Sequence, residues 1–206
     1  MQVIKFGGTS ISSAKNIENI LEIIKNYKTQ TVVIFSAFGG VTDLLIEAGN
    51  LASKQNKKYL DKYNLIKNKH IEICKSLFEI KHQSKILSYV QQNLNNLESI
   101  LEGIFNLKEF SHKSSETISG FGELMSYYVI GELGKSRGLD FETKDSREII
   151  TTKLLKLKNS HVDFELTTKK WNKYIVECKK RFIIMPGYVA SDNYGNSITL
   201  GRGGSD

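Results

Sequence analysis

The chain has 206 residues, 40% of them hydrophobic and 25% charged, which supports a substantial core in one large domain or two small ones. Lys and Arg outnumber Asp and Glu 29 to 22, a formal charge of +7. The excess falls in stretches such as "SKQNKKYLDKYNLIKNKH", which read as solvated helix faces and lack the aromatic-and-basic motif of a nucleic-acid binder, so nucleic acid is not an expected partner.

Cys74 and Cys178 lie far apart with no CxxC and read as reduced core residues. No basic leader precedes "MQVIKF", and no run approaches the roughly 18 apolar residues that span a bilayer. The expectation is a cytoplasmic protein without a membrane partner.

In chain order, "QVIKF" at 2–6 is a short strand running into "GGTSISS". Ile17, Ile20, Leu21, Ile24 and Tyr27 then recur at helical spacing and predict an amphipathic helix over about 13–28. "TVVIFSAFGG" is a β-branched run of the kind buried on both faces, again ending in glycines, so the first 40 or so residues read as a β-turn-α-β unit. Thr42 is a candidate N-cap, with Asp43 in the first turn of a helix to about 54. Two helices over roughly 58–79 and 85–107 form a helical excursion at about 55–110. A further helix over about 114–137 stops at Gly138. "DFETKD" is a strand leading to a short helix, and 167–180 a helix carrying Trp171, Tyr174 and Ile175. "RFIIMPGYVA" is a strand interrupted at Pro186, and "SDNYGNSITL" a hairpin turning near 194–196. Strands alternating with helices predict an α/β fold, a three-layer sandwich with a largely parallel sheet whose ligands gather beyond the carboxyl ends of the strands.

Phosphate requires donors that approach closely, which glycine backbones and helix N-termini supply, and a cation for the charge that shifts during transfer. "KFGGTS" offers Lys5, Gly7, Gly8, Thr9 and Ser10 for that purpose, with an ordinary strand-to-helix turn as the alternative. A Walker A loop is absent; "GELGKS" at 131–136 falls in the last turns of a helix and is assigned to structure. "GFGELM" lacks the third glycine of a dinucleotide fingerprint. "SAFGGVTD" repeats the design with Ser36, Gly39, Gly40 and Thr42. "SGFGELMS" sets Glu123 among apolar neighbours, a costly position unless the carboxylate meets a cation such as a ligand's ammonium group, or instead faces solvent. "GRGGSD" closes the chain with Arg202, whose guanidinium can grip a carboxylate through two parallel bonds.

Taken together, "KFGGTS", "SAFGGVTD", "SGFGELMS" and "PGYVASDNYGNSITLGRGGSD" resemble the aspartate kinases of the amino acid kinase superfamily in order and spacing over essentially the whole chain. The resemblance implies transfer of the γ-phosphoryl group of ATP, with Mg²⁺, to the side-chain carboxylate of L-aspartate, giving 4-phospho-L-aspartate on the route to lysine, threonine and methionine. It implies that Lys5 with Gly7 and Gly8 holds the transferring phosphoryl group, flanked by Thr9, Ser10, Gly39 and Gly40. Ser36, Thr42, Glu123, Tyr188, Arg202, Gly203 and Ser205 would bind aspartate, and Asp206 would organise Lys5 or the catalytic cation. No dedicated protein metal site is implied. Tyr188 stands where the family commonly has Phe, and Phe38 where Met is frequent. "LEGIFNLKEFS" and "VDFE" look like the bifunctional aspartokinase/homoserine dehydrogenases. On this resemblance residues 1–206 form the N-terminal, aspartate-binding lobe, incomplete at its C-terminus. The ATP lobe, the ACT domains and any dehydrogenase domain lie outside it, and the full-length protein is a homo-oligomer. The alternative is a truncated, non-catalytic fragment that binds aspartate or phosphate only.

Overall fold

The computed structural model describes residues 1–154 and 160–201. Two four-stranded sheets organise it. The first has the order β1 (Gln2–Phe6), β2 (Thr31–Phe35), β6 (Phe182–Pro186), β3 (Phe141–Thr143), every neighbour parallel. The second runs β5 (Ser160–Val162), β4 (Thr151–Leu154), β7 (Val189–Asp192), β8 (Ser197–Thr199), with β4 and β7 parallel and the two outer pairings antiparallel. The α/β class and the largely parallel principal sheet are as the sequence predicts. Of the second sheet, the β7–β8 hairpin is as the sequence predicts, whereas β4 and β5, only 4 and 3 residues long, are too short for a legible alternation.

Alternation along the parallel strands sorts side chains to two faces. Val33, Phe35, Phe141, Phe182 and Ile184 enter the large core beneath helices α1 (Ala14–Lys25), α2 (Val41–Ser53), α3 (Tyr59–Leu77), α4 (Ile80–Leu107) and α5 (His112–Ser136). Val32, Ile183 and Met185 face the other way, under Trp171, Tyr174 and Ile175 of α6 (Phe164–Glu177). The result is helix, sheet, helix in three layers. The helical excursion is α3 and α4, which pack on each other, on α2 and on α5. Helix α6 begins at Phe164, three residues before the predicted start, because Asp163 caps it by accepting from Leu166 N at 3.1 Å. No helix among the described residues is long and apolar enough to cross a membrane.

One local reading changes. Thr42 does not cap α2. The N-cap is Gly40, with φ of 80° in the left-handed region that glycine tolerates, and Thr42 lies inside the first turn with its hydroxyl left to other uses. The interruption read at Pro186 is present: β6 ends there, the turn comes at Gly187 and Tyr188, where Tyr188 carries φ of 64°, and β7 resumes at Val189 in the second sheet. "GELGKS" forms the end of α5 as expected, and Gly131 and Gly134 there sit against Thr143 and Phe141, where a Cβ would come within 2.1 and 2.2 Å.

Candidate active site

The carboxyl ends of β1 and β2 and the Gly187–Tyr188 turn after β6 converge on a cavity of about 890 Å³. Lys5 and Gly8 line it from β1 and the turn that follows, Ser36, Phe38 and Gly40 from the loop after β2, and Thr42 from α2. Glu123 enters from α5, and Tyr188 from the turn after β6. Parallel pairing sets Lys5 beside Ile34 and Phe6 beside Phe35, so the two glycine-rich turns leave the sheet side by side. They touch: a Cβ on Gly8 would stand 2.9 Å from the Ala37 carbonyl oxygen, and one on Gly39 3.1 Å from the Gly8 oxygen. A side chain is excluded at Gly8 by the partner loop, and at Gly39 it would be tightly crowded.

Glu123 has the most demanding environment. It is 4% exposed, and its Oε2 has no hydrogen-bond partner among the described residues. Burial pushes its carboxyl up to about 7, offset in part by backbone hydrogen bonding at Glu123 and Ala37 and by the Lys5 charge. A buried carboxylate that lines a cavity and has one oxygen without a partner among the described residues suits a cation, and an ammonium group supplies both charge and donors.

Of the other predicted residues, Gly7, Thr9, Ser10 and Gly39 do not line the cavity. Gly7 accepts from Ser10 N at 3.0 Å at the start of a short 3₁₀ turn over Gly8–Ile11, and Thr9 and Ser10 are exposed on it. Arg202, Gly203, Ser205 and Asp206 lie outside the described residues. Among the described residues no group of three or more His, Cys, Asp or Glu side chains could hold a metal ion.

Three residues that the sequence reading left without a role support the loop after β2. Ser126, fully buried one turn beyond Glu123, donates to the Ser36 carbonyl at 2.6 Å. Lys69 of α3 donates its ammonium to the Gly39 carbonyl. His70 is fully buried with its ring 5.2 Å from that of Phe38; its Nδ1 bonds the Ile66 carbonyl at 2.7 Å and its Nε2 has no partner among the described residues. Lys69 falls in the very stretch read as a solvated face. The available signal was the apolar stripe Tyr59, Tyr63, Ile66, Ile73, Leu77, whose helical spacing includes position 70 and so places its neighbour beside the core.

This combination, a parallel α/β core with glycine-rich strand ends, a lysine and a buried carboxylate around one cavity, has the chemistry to hold a small charged ligand beyond the strand ends. The sequence model of the amino acid kinase family matches residues 1–206, the whole chain, and the chain belongs to that family. It is 30% identical over 208 residues to an aspartokinase of Chlamydia pneumoniae, spanning 99% of this chain and 42% of that protein. It is 27% identical over 203 residues to the chloroplastic bifunctional aspartokinase/homoserine dehydrogenase 2 of Arabidopsis thaliana, spanning 98% of this chain and 22% of that one. Among solved structures, E. coli aspartokinase III in complex with aspartate and ADP superposes with a TM-score of 0.86 at 23% identity, over 100% of this chain and 44% of that chain. The chain thus spans less than half the length of each of these relatives.

Proposed function

We propose that this chain forms the aspartate-binding half of an aspartokinase, the enzyme that transfers the γ-phosphoryl group of ATP to the side-chain carboxylate of L-aspartate to yield 4-phospho-L-aspartate and ADP. The observation that carries the reading is Glu123, a buried carboxylate with an unpartnered oxygen in a cavity that also holds Lys5, Ser36 and Thr42. The names of the aspartokinases to which the chain is similar support the substrate.

In this mechanism Glu123 takes the α-ammonium of aspartate, and the Ser36 and Thr42 hydroxyls orient the bound amino acid beside Tyr188. Arg202, with Gly203 and Ser205, takes the α-carboxylate. The attacking side-chain carboxylate has a solution pKa of about 4 and is already ionised at neutral pH, so no general base is required. Lys5, at the strand end beside Gly8, stabilises the charge that spreads over the transferring phosphoryl group. Gly8 fits that task, since no side chain stands between its backbone and an anion. Mg²⁺ arrives with ATP as part of the substrate, and Asp206 orients Lys5 or that ion. Rate enhancement comes from alignment and charge stabilisation rather than proton transfer.

The parent enzyme acts in the cytoplasm as a homo-oligomer, supplying the first step toward lysine, threonine and methionine, and its form is bifunctional with homoserine dehydrogenase. Aspartate-dependent ADP release from MgATP, run beside separate titrations of aspartate and MgATP, tests the reading. Release of ADP supports the full activity. Aspartate binding without release identifies a substrate-binding half alone, and binding of neither ligand overturns the proposal.

A further inference from the structure

The loop from Ser36 to Gly40 walls the cavity, yet the carbonyl oxygens of Ser36, Phe38, Gly39 and Gly40 are occupied by protein donors. Ser36 O accepts from the Ser126 hydroxyl at 2.6 Å, Phe38 O from Val41 N at 2.9 Å and Gly40 O from Leu44 N at 3.2 Å. Gly39 O accepts from the Lys69 ammonium. Two of these donors are local and follow from the start of α2. The other two come from different helices, 90 and 30 positions away in sequence, and neither belongs to the cavity wall.

A carbonyl dipole turned toward a bound anion repels it, whereas a backbone whose carbonyls are held elsewhere keeps its donors and hydroxyls for the ligand. We infer that Ser126 and Lys69 are positioning residues that clamp the Ser36–Gly40 loop at its two ends and hold Ser36 and Gly40 in ligand-binding geometry. The single Ser126 hydroxyl proton is shared between Ser36 O at 2.6 Å and, more weakly, Glu123 O at 3.1 Å, so one hydroxyl ties the loop to the turn of α5 that carries the buried carboxylate. Lys69 is half-buried, and its neighbour His70 packs its ring on Phe38, so α3 supports the loop from behind at two consecutive residues. The ligand side of this inference rests on the aspartate reading above; the loop geometry does not.

The test uses Lys69→Met, which keeps the aliphatic stem and removes the donor, and Lys69→Arg, which restores one. Two readouts are taken on the whole chain: amide hydrogen exchange at Val41 and Leu44, and the affinity for L-aspartate by calorimetry. Loss of a charged hydrogen bond to the loop is expected to speed exchange and weaken aspartate, each by about tenfold. Lys69→Arg should restore both to within a few-fold, with the thermal midpoint of both variants near that of the parent. Ser126→Ala should act in the same direction, with some loss of stability because Ser126 is buried. A Lys69→Met protein with parental exchange and parental affinity overturns the inference, as does a fall in midpoint that Lys69→Arg fails to reverse. If the parent binds no aspartate, the functional reading fails, and the exchange readout alone decides whether the clamp exists.

Discussion

Gly122 and Ala37 are in such close apposition that a Cβ on Gly122 would lie 2.6 Å from the Ala37 Cβ and 3.2 Å from Val41 Cγ1. This approach of α5 to the loop after β2 is what brings the next residue, Glu123, under the cavity. Gly122→Ala should therefore push the helix and loop apart. The expected cost is about 1–3 kcal/mol of stability, the usual scale for overpacking a buried contact, together with weaker aspartate binding. Denaturant unfolding and calorimetry of the variant check both; parental values would show that the helix does not need to sit so close.

The Glu123 carboxyl, raised to about 7 by burial, makes ligand affinity pH-dependent. Only the ionised form attracts an ammonium group, so binding of an amino acid displaces the proton. Affinity for L-aspartate should rise close to tenfold per pH unit below about 7 and level off above it. Titrations at pH 5.5, 6.5 and 8 in buffers of matched ionic strength measure this. A flat profile would mean that the carboxylate does not meet the ammonium.

Stability should show a different pattern, because two buried groups act in opposite directions. His70 falls to about 4 from 6.5 through burial, so the unfolded chain binds the extra proton and stability is lost as pH falls from 6.5 toward 4. Glu123 rises to about 7 from 4.5, so the folded chain binds the extra proton and stability is lost as pH rises from 4.5 toward 7. Each effect is about 3 kcal/mol when complete, and between pH 4.5 and 6.5 they largely cancel. Glu123→Gln removes the second and should leave a protein that loses stability steadily on acidification across that window. Denaturant midpoints of parent and variant at pH 6.5 and 4.5 read the difference; an equally flat Glu123→Gln profile would contradict the assignment of a neutral, buried His70.

Lys5→Ala should lower aspartate-dependent ADP release by at least about a hundredfold, the scale for losing a charge-stabilising contact in phosphoryl transfer. Affinity for aspartate alone should change much less, since Lys5 acts on the phosphoryl group. A near-normal rate would remove Lys5 from the mechanism.

Much of this arrangement was legible in the chain because its signals are local. The β-branched run "TVVIF", ending in a glycine-rich turn, announces a strand covered on both faces, and it is the second strand of the parallel sheet, between β1 and β6. Lys5, Gly8, Ser36, Thr42, Glu123 and Tyr188 line one cavity; the first five were candidates from their residue types at strand ends and on α5, and Tyr188 only through the family resemblance. What escaped depends on distant partners. Strand β4 exists through Thr151 pairing with Ser191, which no window around Thr151 can reveal. Thr42 has the right chemistry for an N-cap, but Gly40 takes that position by adopting a left-handed conformation. Lys69 looks like a solvated lysine until α3 is packed against the loop after β2.

Calorimetric titration of the chain with L-aspartate and with succinate, which lacks only the amino group, tests the central claim most directly. A site in which buried Glu123 takes the ammonium should bind L-aspartate at least about tenfold more tightly than succinate, as expected for a charged hydrogen bond in a buried setting. Equal affinities, or preference for succinate, would contradict the account, because the buried Glu123 carboxylate, whose Oε2 has no partner among the described residues, would then have no ammonium to meet.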